Sequence, residues 1–354
     1  MDYLSYFKKL LEIAVKQEAS DIDISVNYVP HIRITGQLVP LGQEKTILPK
    51  DSEGLAFAIM SEEQKNKFLK EKEIDFSYDF EGKGRFRVNI FYQRGSISLA
   101  LRFVPSKIRT IEELNLPQIL HEFTSRPQGL VLVTGASSQG KSTTLAAILD
   151  EINHTRPVHI ITIEDPIEYV YPVSRAMVDQ REVGIDTLSF PRALREVLRQ
   201  NPDVIMVGEM RDLETISTAI TAAETGHLVF ATLHTNGASQ AVHRIVDVFS
   251  AEQQNQIRLQ LASSLLGIIS QRLIPRIQGG FIPVCEVMLC NNAVSTLIRE
   301  NKTHEIAAVI ETSSKEGMIS LSRALVDLVR RKEISLKNAT DYALDPNEVK
   351  NLLR

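Results

Sequence analysis

Two patterns of hydrophobic and polar residues divide the chain into two parts. Helical spacing near the N-terminus predicts an amphipathic helix that packs on a core rather than on a membrane: Leu4, Phe7, Leu10, Leu11 and Ala14. Five alternating segments then predict antiparallel strands: DIDISV, HIRITG, FSYDF, RFRVNIFYQ and SISLALRFV. With a helix predicted from about Ser52 to Glu71, residues 1–105 are expected to form a small α+β domain.

The pattern changes after a linker predicted at residues 106–115. Short, wholly apolar segments now alternate with helical ones: LVLVTG, HIITIED, DVIMVGE and HLVFATLHT. Such segments predict a parallel sheet that is covered on both faces. Residues 116–354 are therefore expected to form an α/β domain, whose last part, from about residue 290, is helical and polar.

Composition and charge argue against several classes of protein and of site. The 354 residues carry 40 Lys and Arg against 44 Asp and Glu, a net charge of −4 that does not indicate a polybasic nucleic-acid or membrane binder. Cys285 and Cys290 cannot form a disulfide framework or a four-cysteine zinc site. We find no signal-peptide pattern, and the apolar stretch from Leu259 to Ile269 is shorter than the roughly 18 residues of a spanning helix. We therefore expect a water-soluble, cytoplasmic protein without a transmembrane segment.

The strongest motif matches G-x-x-x-x-G-K-[ST] and lies between a predicted strand and a predicted helix. Its residues are Gly135, Ala136, Ser137, Ser138, Gln139, Gly140, Lys141 and Ser142, followed by Thr143. In this setting, backbone N–H groups and the helix N-terminus surround the phosphates of a nucleotide. The lysine contacts the β- and γ-phosphates, and the serine hydroxyl binds Mg²⁺. The motif predicts an ATP and Mg²⁺ site.

A P-loop also needs a carboxylate near the metal and one that orients the attacking water. Glu209, after DVIMVG, is the predicted general base, and Glu164, at the end of HIITIE, is predicted to assist the metal or the water. Asp165 and Glu168 are weaker candidates, because helix caps and surface ion pairs explain them equally well.

Two histidines flank the apolar run LVFATL. His227 precedes the run and His234 follows it. An extended segment of this length spans about 23 Å, at about 3.3 Å per residue, so both histidines cannot touch one phosphate. Ligands of open parallel sheets bind beyond the carboxyl ends of the strands. His234 is therefore the predicted γ-phosphate sensor, and His227 is assigned a structural or interface role.

The chain resembles the secretion-type ATPases of type IV pili, and above all their PilT-like retraction branch. Six segments match in order and spacing: VTGASSQGKSTTLAAILD, ITIEDPIEYV, QREVG, DTLSF, VGEMRDLETISTAITAAETGHLVFATLHT and VDVFSAEQQNQIR. The Walker A, Asp box, Walker B and His box of the family fall on Gly135–Thr143, Ile161–Glu168, Val204–Glu209 and Thr225–Thr235. SDIDISVNYVPHIRITG and GRFRVNIFYQRG also match the family's N-terminal domain.

The resemblance implies a PAS-like N-terminal domain and a RecA-like P-loop ATPase domain, assembled into a homohexamer with ATP between the two domains of each subunit. It implies that Arg85 and Arg102 point toward the γ-phosphate, with Arg87 and Arg94 as weaker candidates. The implied function is ATP hydrolysis that powers pilus retraction and twitching motility at the inner-membrane face of the machine. The implied partners are an inner-membrane platform protein and a paralogous ATPase, and no nucleic acid is expected.

Two departures from the family pattern keep alternatives open. The family loop is G-P-T-G-S-G-K, so Ser138 replaces its middle glycine, and a non-glycine residue resists positive φ. The segment A-I-R-N-L-I-R-E, linked in the family to retraction, is AVSTLIRE here. A low-activity or regulatory PilU-like paralogue and another type II or type IV secretion ATPase are therefore alternatives. A nucleic-acid translocase is a third, which the near-neutral charge argues against.

Overall fold

The computed structural model describes residues 2–17, 19–34, 36–81, 84–104 and 107–353. Two compact units divide the chain. The N-terminal unit contains Met1–Lys107 and Pro166–Val170, and the C-terminal unit contains Ile108–Asp165 and Tyr171–Arg354. Pro105 and Ser106, where the sequence predicts the junction of domain and linker, lie outside the described residues.

A six-stranded antiparallel sheet forms the framework of the N-terminal unit. Its strands are β1 (Asp21–Ile24), β2 (His31–Ile34), β3 (Gln37–Pro40), β4 (Glu73–Asp79), β5 (Arg85–Gln93) and β6 (Ser96–Val104). They lie in the order β3-β2-β1-β6-β5-β4. All five alternating segments are strands, as predicted, and the fully exposed edge strand β3 is an addition.

Helix α1 (Tyr3–Lys16) presents its apolar stripe to the core of this unit. Phe7, Leu10, Leu11 and Ala14 are completely buried, whereas Leu4 at the helix start is 39% exposed. The stripe follows the predicted helical spacing, and its burial removes four apolar side chains from water. The prediction of a core-packed helix is confirmed.

The expectation of one helix from about Ser52 to Glu71 is wrong. The structure has two helices, α2 (Pro49–Ala58) and α3 (Glu62–Glu71). Ser61 begins the second one with a capping box, in which the Gln64 N–H donates to Ser61 Oγ at 3.2 Å and the Ser61 N–H donates to Gln64 Oε1 at 2.9 Å. This exchange satisfies the first N–H groups of α3 and so favours a new start over continuation of α2.

A seven-stranded sheet forms the centre of the C-terminal unit. Its strands are β7 (Gly129–Thr134), β8 (His159–Glu164), β9 (Met177–Glu182), β10 (Val204–Val207), β11 (Leu228–Leu233), β12 (Leu265–Pro275) and β13 (Phe281–Leu289). The order is β13-β12-β7-β11-β10-β8-β9, with only β13 antiparallel to its neighbour. Every residue of β7, β10 and β11 is buried, as the continuous apolar runs predict.

Helices cover this sheet and form the end of the described chain. They are α4 (Leu120–Ser125), α5 (Lys141–Thr155), α6 (Phe190–Val197), α7 (Leu213–Glu224), α8 (Ala238–Asp247), α9 (Ala251–Ser264), α10 (Asn292–Arg299), α11 (Ile306–Thr312), α12 (Leu321–Arg330), α13 (Leu336–Tyr342) and α14 (Pro346–Leu353). The helical region expected after about residue 290 is therefore present.

The two cysteines pack at separate places as free thiols. Cys285 is buried in β13, where burial raises the pKa of its thiol to about 12. Cys290 lies just after β13, and its Sγ is 3.3 Å from Ser295 Oγ. Within the described part of the chain, no helix has the length and apolar character needed to cross a bilayer.

Candidate functional site

The P-loop connects β7 to α5, as its motif requires, and two glycines define its shape. Gly135 has φ +148°, and a Cβ there would lie 2.4 Å from the carbonyl oxygen of Gln271. Gly140 has φ +79° and is the N-cap of α5. Only glycine fits either position without strain, because one excludes a side chain by contact and both need positive φ.

Ser138 adopts the left-handed conformation, with φ +62°. The loop therefore keeps a positive φ at the position where the family motif has glycine. A left-handed conformation is unfavourable for most non-glycine residues. The surrounding structure must hold the serine there.

Lys141 begins α5 and is only 8% exposed. Its Nζ donates hydrogen bonds to the carbonyl oxygens of Gly135 and Ala136, both at 2.9 Å. Ser142 and Thr143 follow in the first turn of the helix, where the helix dipole favours anions. The ammonium group and the helix N-terminus thus meet at one loop, as the phosphate-site prediction requires.

Strand order brings the other predicted residues to the same edge of the sheet. β7, β11, β10 and β8 are consecutive neighbours and run parallel. The P-loop follows the first, His234 the second and Glu209 the third, and Glu164 ends the fourth. Because parallel strands end at one edge, these residues lie together, whereas His227 lies at the opposite edge. There, His227 Nδ1 is 3.0 Å from the carbonyl oxygen of Ala222, a structural contact.

Glu209 is held between two basic side chains. Its Oε1 lies 3.0 Å from His234 Nε2 and 2.5 Å from Arg211 Nε. Burial alone would raise the pKa of Glu209, but the hydrogen bonds and charges of Arg211 and His234 outweigh it and keep this pKa below its ordinary value. The carboxylate is therefore ionised at neutral pH, and the contact with His234 joins the predicted base to the predicted sensor.

Glu164 is 8% exposed at the end of β8. Its Oε1 accepts hydrogen bonds from Thr162 Oγ1 at 2.6 Å and from Gln180 Nε2 at 3.0 Å. Gln180 lies on the neighbouring strand β9, and sequence reasoning missed it because QRE is polar and carries no apolar pattern. The two donors fix the orientation of the carboxylate.

The two predicted arginines lie on adjacent strands of the N-terminal unit. Arg102 on β6 faces Arg87 on β5, and Arg85 faces Val104, two residues along the same pair of strands. Arg102 donates to Asp21 Oδ1 at 3.0 Å, and Arg87 forms an ion pair with Asp75 at 3.2 Å. Arg102 remains 68% exposed at its side chain, so the ion pair does not bury its charge.

Several residues that could not be predicted from the sequence contact the P-loop and the loop that follows His234. Gln271 and Leu273 of β12 hydrogen-bond to Gln139 of the P-loop. Arg272 donates to the carbonyl oxygen of Asn236, two residues after His234, at 3.3 Å. These partners are 36 to 134 positions apart in sequence, so no local pattern could have linked them.

The residues present fit a nucleoside triphosphate with Mg²⁺. Glycine positions that admit no side chain, a buried lysine and a helix N-terminus form a phosphate cradle. In the described ranges, no cluster of three or more His, Cys, Asp or Glu residues could hold a metal by itself. Ser142 and Glu164 instead offer single oxygen ligands, the kind of set with which Mg²⁺ binds through one or two protein groups, waters and substrate phosphates.

Comparison with known proteins identifies the family of this chain. The type II/IV secretion system protein family matches residues 5–342. The type IV pilus retraction ATPase PilT of Pseudomonas aeruginosa is 45% identical over 96% of this chain and 98% of its own length. The type IV pilus ATPase PilU of the same organism is 39% identical over 98% of this chain and 91% of its own length.

A solved structure shows the same fold. The crystal structure of the pilus retraction motor PilT with bound ADP superposes with a TM-score of 0.91 at 45% identity, covering 97% of this chain and 98% of that one. The predicted combination of an N-terminal α+β domain with a RecA-like domain is confirmed by this match and by the two sheets. The chain belongs to the type II/IV secretion system protein family.

Proposed function

We propose that this chain is an ATP hydrolase that works as the motor subunit for retraction of type IV pili. The observation that carries the proposal is the contact of Glu209 with His234 at 3.0 Å, on the sheet edge where the P-loop begins. The likeness to PilT over nearly the whole of both chains supports the pilus machine as the place of work.

The P-loop binds the triphosphate in this proposal. Residues 135–140 and the N-terminus of α5 surround the phosphates, and Lys141 exchanges its two loop carbonyl partners for phosphate oxygens. The Ser142 hydroxyl and the Glu164 carboxylate, directly or through water, would hold Mg²⁺. When bound, the metal neutralises charge on the β- and γ-phosphates.

Glu209 acts as the general base. It accepts a proton from the water whose oxygen attacks the γ-phosphorus, while the bond to the β–γ bridging oxygen breaks and ADP leaves. His234 holds the Glu209 carboxylate and responds to the γ-phosphate. Arg85 and Arg102 are proposed to add positive charge at the γ-phosphate, so that hydrolysis changes the contacts that drive movement.

The proposal includes a homohexameric ring at the cytoplasmic face of the inner membrane. Sequential hydrolysis around the ring turns a membrane platform protein and disassembles the pilus. A deletion strain tests the direction of work: surface filaments that accumulate without motility support retraction, and cells without filaments indicate assembly instead.

Replacement of Glu209 by Gln tests the chemistry. Glu209→Gln keeps the size of the side chain but removes the base, so we expect phosphate release to fall at least about 100-fold. Glu63→Gln, on the exposed face of α3, is the matched control and keeps the parent rate. Parent-like turnover of Glu209→Gln would remove the proposed role of this residue.

A binding-only subunit is the second candidate, favoured by the altered loop interior, in which Ser138 replaces the middle glycine of the family motif. The positive φ of Ser138 argues against it, because the loop keeps its glycine-like conformation. Steady phosphate release by the purified chain excludes this candidate, and stimulation of that release by DNA would indicate a nucleic-acid translocase.

A further inference from the structure

We infer that Gln139 and Gln271 form a clamp that holds the P-loop in its phosphate-binding shape, and that Gln139 is a positioning residue for the nucleotide. The inference rests on the proposed function, because it concerns the same nucleotide site. It assigns to Gln139 a role that the motif, in which this position is variable, does not give.

Gln139 is fixed to β12 at two points. Its side-chain Oε1 accepts the backbone N–H of Leu273 at 2.6 Å, and its own carbonyl oxygen accepts the side-chain Nε2 of Gln271 at 2.7 Å. The side chain is thereby directed to the strand. Gln139 can support the phosphates through its backbone while its side chain anchors the loop.

The register of the sheet explains why β12 is available for this purpose. Pairing of β7 with β12 ends at Thr134 and Ser270, the last pair in register. β12 continues to Pro275, so its residues after Ser270 extend past β7 beside the P-loop. At this point the Gln139 side chain supplies the acceptor for the Leu273 N–H, in place of a carbonyl group of a neighbouring strand.

Gln271 extends the clamp to the helix that follows the loop. It is 2% exposed, and its Oε1 accepts Thr144 Oγ1 of α5 at 2.6 Å. The Gln139 carbonyl can only accept, which assigns Nε2 to that side of the amide and Oε1 to Thr144. One buried amide therefore joins the loop to the first turns of α5, and both of its ends are satisfied.

The strained conformation of Ser138 explains why the P-loop needs the clamp. A non-glycine residue with φ +62° favours other conformations of the loop, and the bonds at the next residue oppose that tendency. If the clamp offsets this strain, its importance must depend on the residue at position 138. A double-mutant cycle measures that dependence directly.

The experiment uses Gln139→Met, which keeps the length of the side chain and removes the acceptor. Fluorescent ADP is titrated into the full-length chain with Mg²⁺, in the parent and the Ser138→Gly backgrounds. We expect Gln139→Met to weaken binding about fivefold in the parent, from the loss of one hydrogen bond, and by less than about twofold beside Ser138→Gly. Gln37→Met, on the exposed edge strand β3, is the matched control.

The possible outcomes bear separately on the clamp and on the proposed function. Equal affinity of Gln139→Met and the parent, or an equal loss in both backgrounds, overturns the clamp and leaves the proposed function intact. A lowered melting temperature without a change in affinity assigns Gln139 a purely structural role and also overturns it. A parent chain that fails to bind the probe overturns the proposed function itself. Gln139→Ser repeats the comparison if the methionine variant does not fold.

Discussion

At the scale of single residues, the carboxylate of Glu209 combines two opposing influences. Burial favours its neutral form, while Arg211 and His234 favour the ionised form and prevail. Arg211 is 77% exposed at its side chain and so can leave the carboxylate easily. The proposed base is ionised at rest and ready to accept a proton, and movement of Arg211 away from it would raise its proton affinity.

Replacement of Arg211 by Ala tests this control of Glu209. Loss of the guanidinium removes a lowering influence while burial remains, so the pKa of Glu209 rises. Because the ionised form is the active one, the acidic limb of the kcat/KM profile for ATP hydrolysis moves to higher pH. Arg126→Ala, a surface change on the same unit, leaves the limb in place. An unmoved limb in Arg211→Ala would contradict the proposed base.

At the scale of elements, His121 connects α4, α5 and the segment before them. Its Nδ1 lies 2.7 Å from Glu151 of α5, and its Nε2 lies 2.8 Å from Glu112. The hydrogen bond to Glu151 is the main cause that raises the pKa of His121 above 6.5, while burial opposes it. A protonated His121 therefore binds the segment before α4 to the helix that carries Lys141.

His121→Gln is expected to destabilise the chain more at low pH than at high pH. A raised pKa means that the stabilisation is fully present below pH 6.5 and is lost as the pH rises through the folded-state value. Melting temperatures of parent and variant should thus differ more at pH 6 than at pH 9. His304→Gln, at an exposed position of the short 3-10 helix Thr303–Glu305, is the matched control. Equal differences at both pH values would refute this role of His121.

The continuous apolar runs and the alternating segments could be predicted as strands from the sequence, and the mostly polar edge strand β9 could not. β7, β10 and β11 were predictable because every residue is buried. β9 was not predicted, because this strand lies at the edge of the sheet and its sequence, MVDQRE, is mostly polar. The two-helix break at Ser61 depends on a local capping box, a signal that was present but weaker than the surrounding helical pattern.

Some residues of the candidate site could likewise be predicted from the sequence, and others could not. Glu164, Glu209 and His234 could be placed because each ends or follows an apolar strand, and their meeting follows from strand order. The contacts of Gln139 with β12 could not be foreseen, since Leu273 is 134 positions away. The left-handed conformation of Ser138 could not be foreseen either, because a non-glycine residue ordinarily resists positive φ.

At the scale of the whole molecule, Arg272 joins the C-terminal helices to the loop after His234. Its Nη1 donates to the carbonyl oxygen of Tyr342 in α13 at 2.6 Å, and its Nη2 donates to that of Asn236 at 3.3 Å. Glu286 on β13 accepts the N–H of Ala238 at 2.8 Å and attracts the same arginine. Arg272 therefore links the helices at the end of the described chain to the backbone that follows His234, the proposed sensor.

Arg272→Lys is expected to lower kcat for ATP hydrolysis about threefold to tenfold and to change KM less than twofold. Lysine keeps the charge but cannot bridge two carbonyl groups in one plane, so the His234 loop loses its anchor while the P-loop keeps its own. Arg330→Lys, whose parent residue donates to Leu352 within the same helical region, is the matched control. A change confined to KM would contradict this assignment.

The hold of Lys141 on the carbonyl oxygens of Gly135 and Ala136 also bears on which anions can enter the loop. An incoming anion must replace two peptide acceptors of the Lys141 ammonium group, and a polyphosphate offers several strong, charged acceptors for this exchange. We therefore expect a singly charged anion with one acceptor oxygen to displace the two carbonyl groups less readily than a nucleoside polyphosphate does.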